Sequence, residues 1–114
     1  MNFGLSESTI ATLHAIFKQY QGVEKAVLYG SRAKGNYKTG SDIDLALVGE
    51  SLTASDIMKI TNDLDDATVP YLVDISLLHQ LDNESLLHHI LRVGIVFYER
   101  PRTPKTENLS PLLL

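Results

Sequence analysis

The chain has 114 residues, of which 44% are hydrophobic and 21% charged, with a net charge of −4 and no cysteine. This length and composition are typical of one globular domain with a hydrophobic core, and they exclude a disordered, collagen-like or coiled-coil chain. The lack of cysteine excludes disulfide scaffolds, zinc fingers, iron–sulfur sites and thiol nucleophiles, while the lack of a long apolar run or signal peptide favours a cytoplasmic protein with no membrane contact.

Hydrophobic periodicity and turn residues divide the chain into alternating helices and strands. Capping residues support two of the helix boundaries: Ser6 or Ser8 begins the first helix, and Gly94 closes the last. The predicted elements in chain order are a helix over 6–20, a strand over 23–29, a loop or short helical turn over 31–41, a strand over 42–48, a helix over 53–66, a strand over 71–78, a helix over 83–93 and a strand over 95–99.

This order predicts an α/β (α+β) fold, a small sheet with helices packed on it. Residues 1–99 form the predicted domain. Residues 100–114 are rich in Pro, Thr, Lys and Asn, and we expect them to be a flexible C-terminal tail.

The charges are unevenly distributed along the chain. Residues 32–38 contain three basic residues and no acid, whereas residues 45–91 contain eight acids and one base. A nucleic-acid-binding protein usually has a broad basic face. One short basic patch is better suited to a small anion such as a nucleotide, so we expect no direct contact with nucleic acid.

The segment GSRAKGNYKTGSDIDL, residues 30–45, holds the residues of greatest chemical interest. The first predicted strand ends at Gly30 and Ser31, and the second begins at Asp42. An antiparallel, hairpin-like pairing of the two strands would place the end of one beside the start of the other. The segment therefore predicts one site built from both strands.

Three aspartates are expected to share one face of the sheet. Asp42 and Asp44 lie two residues apart in a strand, so they project to the same side, roughly 6–7 Å apart. Asp74 lies in an apolar strand between Val73 and Ile75, which we expect to face the core. If this third strand lies beside the second, the three carboxylates converge.

Carboxylates that converge in this way repel one another unless a cation lies between them. Mg²⁺ prefers one or two carboxylates together with substrate phosphate, and a pair of such ions can hold both oxygens of a phosphoryl displacement. We therefore predict that Asp42, Asp44 and Asp74 are metal ligands and catalytic residues at a site that holds two Mg²⁺ ions. Asp42 and Asp44 would bridge the ions, and Asp74 would accept the proton of the attacking hydroxyl.

The residues just before these acids suit a nucleotide's phosphates. Gly30 allows close approach of the backbone, and its neighbour Ser31 offers a hydroxyl donor. Arg32, Lys34 and Lys38 can offset the charge of a triphosphate. We predict nucleotide binding by Gly30, Ser31 and Arg32.

Each of these features, taken alone, also has a purely structural interpretation. A lone Asp-x-Asp on a strand is often a solvated face, and Gly-Ser is often a simple turn. His88 and His89 are adjacent and would diverge by about 100° on a helix, so they are poor candidates for a metal pair.

Residues 28–47, LYGSRAKGNYKTGSDIDLAL, resemble the signature of the DNA-polymerase-beta-like nucleotidyltransferase superfamily, and the resemblance extends over residues 6–99. The pattern Gly-Ser-x-Ala-x-Gly followed by Ser-Asp-x-Asp-Leu is similar to the minimal nucleotidyltransferase (MNT) branch. The positions that carry the resemblance are Gly30, Ser31, Asp42 and Asp44, with Asp74 at the expected place of the third carboxylate.

This resemblance implies a mixed sheet, ATP as substrate with Mg²⁺, and transfer of a nucleoside monophosphate with loss of pyrophosphate. Members of the branch often pair with a HEPN-domain toxin, and some act as its antitoxin by adding AMP to a tyrosine. The resemblance thus implies a hetero-oligomer with such a toxin. Two alternatives remain open: an antitoxin that inhibits by binding alone, and a nucleotidyltransferase that modifies a small molecule.

Overall fold

A computed structural model describes residues 2–101, so nearly all of the predicted tail, 100–114, lies outside the described residues. The helices are α1 (Glu7–Lys18), α2 (Gly30–Lys34), α3 (Ala54–Asp66) and α4 (Glu84–Val93), the strands are β1 (Lys25–Tyr29), β2 (Ile43–Val48), β3 (Val73–Leu77) and β4 (Ile95–Glu99), and a 3-10 turn spans Leu78–Gln80. Each predicted helix and strand is confirmed, with ends that shift by a few residues. The segment expected to be a loop or short helical turn contains α2.

Side chains satisfy the free backbone donors at the start of the longer helices. Ser6 accepts a hydrogen bond from the backbone N–H of Thr9, as predicted for the first helix, and Asn83 does the same for Leu86 in α4. Thr53 and Asp56 form a reciprocal capping box at the start of α3. These caps fix where each helix begins relative to the sheet.

The last turn of α3 is acidic and has no basic residue, although carboxylates are unfavourable at a helix C-terminus. One of these acids, Asp63, accepts a hydrogen bond from the hydroxyl of Tyr20, which follows α1. This hydrogen bond raises the pKa of Tyr20 to about 12, with a smaller contribution from burial. The pair joins α1 and α3 on one side of the sheet.

The four strands form one mixed sheet in the order β3-β2-β1-β4. β1 is antiparallel to both β2 and β4, whereas β2 and β3 are parallel. The predicted pairing of β1 with β2 is confirmed, with Tyr29 opposite Asp44. The mixed sheet implied by the family resemblance is also confirmed.

The two faces of the sheet differ in what covers them. The larger hydrophobic cluster includes Leu28 and Leu45, both fully buried, together with Phe17 of α1 and Ile60 of α3. The smaller cluster lies on the other face and consists of Tyr29, Ala46 and Ile90 of α4. Asp44 belongs to this second face, since it alternates with Leu45 along β2. Within residues 2–101, no helix has the length and hydrophobicity required to cross a membrane.

Candidate active site

The end of β1 lies against the start of β2, where Gly30 approaches Asp44. The junction of β1 with α2, formed by Gly30 and Ser31, is here called the Gly30 turn. Gly30 has a φ of +74°, a backbone conformation that favours glycine. A Cβ atom at this position would overlap a carboxylate oxygen of Asp44. Glycine is therefore favoured here for two reasons, the backbone conformation and the close approach of the carboxylate.

The acidic residues meet where β2 and β3 run side by side. Asp44 and Asp74 are partners in the parallel ladder, so their side chains leave the same face of the sheet. Asp42 is exposed and lies just before β2 begins. The expected position of the third strand beside the second is thus confirmed. This pairing places Asp74 beside the Asp-x-Asp pair.

The electrostatics of Asp44 reflect this arrangement. Partial burial raises the pKa of its carboxyl group, and the negative charges of Asp74 and Asp42 raise it further. His89 acts in the opposite direction. Asp74 and Asp42 are therefore close enough to Asp44 to destabilise its negative charge, as expected of a site that binds a cation.

The acidic group does not by itself make a complete metal site. Over residues 2–101, no three Asp, Glu, His or Cys side chains form a cluster with metal-binding geometry. The donors nevertheless fit Mg²⁺, because Asp42 and Asp74 are exposed carboxylates and this ion normally completes its coordination with water and substrate phosphate. Metal ligation by Asp42, Asp44 and Asp74 stays a prediction.

His89 is a residue of this site that the sequence did not reveal. Its Nε2 accepts a hydrogen bond of 3.2 Å from the backbone N–H of Gly30, and its ring packs edge-on against Tyr29. Sequence analysis considered His89 only as half of a metal-binding pair. The signal that points to it is its place between Leu86 and Val93 on the apolar, sheet-facing stripe of α4.

The histidine changes the expectation for phosphate binding. The N–H of Gly30 already has a partner, so it can donate to a phosphate only if the bond to His89 is released. Ser31 is half-buried, and its carbonyl accepts hydrogen bonds from Gly35 and Asn36 that close α2. Nucleotide binding by Gly30 and Ser31 stays a prediction.

Arg32 does not extend into solvent as a phosphate-binding arginine would. It is buried, and its guanidinium donates to the backbone carbonyls of Phe3 and Ser41. The guanidinium also lies over the rings of Tyr37 and Tyr71. Phosphate binding by Arg32 stays a prediction, while these contacts show a structural use of its charge.

Residues 11–103 match the family model described as Polymerase beta, Nucleotidyltransferase. The chain belongs to this nucleotidyltransferase family. The superfamily resemblance inferred from the Gly-Ser and Asp-x-Asp residues is therefore confirmed, and the family implies a nucleotide substrate. No curated protein has a significant sequence match to the chain.

Solved structures share the fold over most of the chain. One is a toxin–antitoxin structure with AMP-PNP, at 21% identity and a TM-score of 0.64, covering 96% of this chain and 83% of that chain. A protein provisionally described as a minimal nucleotidyltransferase has 26% identity and a TM-score of 0.62, with coverage of 83% and 95%. A third structure, of a tri-AMPylated Shewanella oneidensis HEPN toxin in complex with an MNT antitoxin, has 18% identity and a TM-score of 0.56, with coverage of 89% and 78%. The neighbours of this family member thus include antitoxins of the minimal branch.

Proposed function

We propose that the protein is the antitoxin of a HEPN-domain toxin and inactivates it by transferring AMP from ATP to a tyrosine hydroxyl. The observation that carries this proposal is the in-register pairing of Asp44 with Asp74 beside the Gly30 turn. Membership of the nucleotidyltransferase family supports the reaction type. The similarity to complexes of antitoxins with HEPN toxins, one of them AMPylated, supports the acceptor.

In the proposed reaction, the tyrosine oxygen attacks the α-phosphorus of ATP. A new P–O bond forms to the toxin, the anhydride bond between the α- and β-phosphates breaks, and pyrophosphate leaves. The exposed carboxylate of Asp74 accepts the proton from the tyrosine hydroxyl. Divalent metal held by Asp42 and Asp44 would supply charge neutralisation for the phosphates.

The architecture favours an acceptor that is itself a protein. Throughout residues 2–101 the elements form one sheet and its packed helices, and the acidic site lies where β2 and β3 begin, with Asp42 and Asp74 exposed. These residues include no second lobe that would enclose a small acceptor. A folded partner would bring its own surface to the open carboxylates.

The test is to look for a HEPN-domain toxin in the neighbouring reading frame, to co-express it with this protein, and to measure the intact mass of the toxin. We expect the wild-type protein to add the mass of one or more AMP groups to the toxin and to restore cell growth. The Asp42→Asn variant should add none. Asp66→Asn is the matched control, because it removes an equal charge from an exposed position at the end of α3.

The outcomes separate the possible functions. An unmodified toxin that the wild-type protein still inhibits would overturn the transfer reaction and favour inhibition by binding alone. A toxin modified equally by the wild-type protein and the Asp42→Asn variant would show that the Asp42 carboxylate is not needed for the reaction.

A further inference from the structure

Arg32 is the most deeply buried charged side chain in the described part of the protein, with 3% of its surface exposed. A buried guanidinium is stable only when its donors are paired. Its Nε and Nη2 both donate to the carbonyl of Ser41, at 3.1 and 2.8 Å, and Nη1 donates to the carbonyl of Phe3 at 2.7 Å. All three guanidinium nitrogens therefore have hydrogen-bond partners within the protein.

Aromatic rings lie against the same group. The guanidinium carbon is 5.2 Å from the ring centre of Tyr37 and 4.9 Å from that of Tyr71, distances typical of cation–π contacts. Hydrogen bonds and ring contacts together fix the orientation of the side chain. An arginine held in this way has little freedom to follow a substrate.

The partners of Arg32 belong to the segments that carry the acidic residues. Ser41 immediately precedes Asp42, and Tyr71 lies shortly before the strand that carries Asp74. Arg32 itself comes directly after the Gly30 and Ser31 turn. One side chain thus contacts the segments on both sides of the candidate active site.

The loop before Asp42 depends on this arginine for an anchor. A turn closes between Lys38 and Ser41, through a 2.8 Å bond from the N–H of Lys38 to the Ser41 hydroxyl and a 3.0 Å bond from the N–H of Ser41 to the Lys38 carbonyl. These bonds hold the turn together but not to the rest of the protein. The two bonds from Arg32 to the Ser41 carbonyl provide that attachment.

We infer that Arg32 is a positioning residue that fixes the Ser41 carbonyl, and through it Asp42, relative to the Gly30 turn. This inference rests on the proposed function, because it assigns Asp42 a place in the transfer reaction. It differs from phosphate binding in what it requires of the side chain. Phosphate binding needs a positive charge, which lysine also has, whereas positioning needs the planar fork of donors, which only arginine has.

The experiment compares Arg32→Lys with Arg100→Lys. Arg100 is the matched control, because its Nε donates to the Val23 carbonyl and its Nη2 to the Tyr20 carbonyl, away from the acidic residues. Both substitutions keep the charge and remove a guanidinium that anchors backbone carbonyls. Two measurements are made on each purified protein: amide hydrogen exchange over residues 36–42, and kcat and KM for ATP in AMP transfer to the toxin.

We expect Arg32→Lys to increase exchange over residues 36–42 and to lower kcat by roughly a hundredfold, the effect of a small misplacement of a catalytic group. The KM for ATP should change by less than about threefold, since no contact with ATP is lost. Arg100→Lys should change neither the exchange of this segment nor kcat. Tyr71→Leu, which keeps the arginine and removes one ring, should increase exchange over the same segment and serves if Arg32→Lys does not fold.

Two results would overturn the inference. Unchanged hydrogen exchange over residues 36–42 in Arg32→Lys would show that the arginine does not hold this loop. If the lysine variant does not fold, unchanged exchange in Tyr71→Leu would contradict an anchor that depends on the guanidinium orientation fixed by this ring. A large rise in the KM for ATP with kcat intact would assign Arg32 to phosphate binding. Hydrogen exchange needs no activity, so it decides the anchoring role even if the wild-type protein transfers no AMP, a result that would contradict the proposed function instead.

Discussion

The two faces of the sheet differ in the residues that the same strands present: one face is a hydrophobic core, and the other carries the acidic residues. On one face, Leu28 and Leu45 are fully buried beneath α1 and α3. On the other, Ala46 is buried beneath α4, while Asp44 lies half-buried near the start of β2. Side chains alternate along β2, so the residues that pack the core on one face leave the other face free for acidic residues. The packed core can therefore keep Asp44 beside Asp74 although their negative charges repel each other.

The largest effect is expected from removing one charge on the acidic face. Asp44→Asn should reduce AMP transfer to the toxin below detection, because a neutral amide is a poor ligand for a divalent metal and cannot offset its charge. The measurement is transfer of labelled AMP from ATP in the presence of Mg²⁺. Circular dichroism should show an unchanged fold, since the core face is not altered.

The next effect concerns the core face. Leu45→Ala should lower the free energy of unfolding by about 2–5 kcal/mol, because it leaves a cavity beneath α1 and α3. Urea denaturation measures this loss. Transfer activity of the fraction that remains folded should stay within a few fold of wild type, and a complete loss of activity in folded protein would show that the two faces are not independent.

A smaller effect is expected at the glycine that joins the two strands. Gly30→Ala should destabilise the protein by about 1–2 kcal/mol through its positive φ and should also displace the Asp44 carboxylate, which lowers transfer activity. Gly35→Ala is the control: its φ is +88°, so the backbone strain is similar, but the added methyl group meets open space. Comparable losses of activity in the two variants would contradict a specific role for the approach of Gly30 to Asp44.

The smallest effect is the pH dependence of stability in metal-free protein. The pKa of Asp44 is raised in the folded state by burial and by the neighbouring acids. Its favourable contribution is therefore complete below the unfolded pKa of about 3.9 and is lost as the pH rises through the higher folded value. Thermal melting in the absence of divalent metal should show Asp44→Asn to be more stable than wild type at neutral pH, with the difference vanishing in acid.

Addition of Mg²⁺ provides the control for this pH effect. The ion should stabilise the wild-type protein, because it binds the folded state through the carboxylates. It should stabilise Asp44→Asn much less. Equal stabilisation of both proteins by Mg²⁺ would indicate that the ion binds elsewhere.

Local sequence determined the helices and strands and the part of the site formed by Gly30 and Asp44. Hydrophobic periodicity and capping residues such as Ser6 located each helix and strand, because these signals act over only a few residues. The antiparallel pairing of β1 with β2, the next strand along the chain, brought Gly30 beside Asp44. The Gly-Ser and Asp-x-Asp residues also carried the resemblance to the family to which the chain belongs.

Tertiary structure decided which more distant residues join Gly30 and Asp44 in the site. The parallel pairing of β2 with β3, which brings Asp74 to Asp44, depends on a crossover through α3 that no local pattern specifies. Arg32 looked like a free cation in the sequence and became the anchor of Ser41, and His89 became the partner of Gly30. The physical reason is that a side chain's partners depend on burial and on packing between distant segments, both of which exist only once the sheet and helices are assembled.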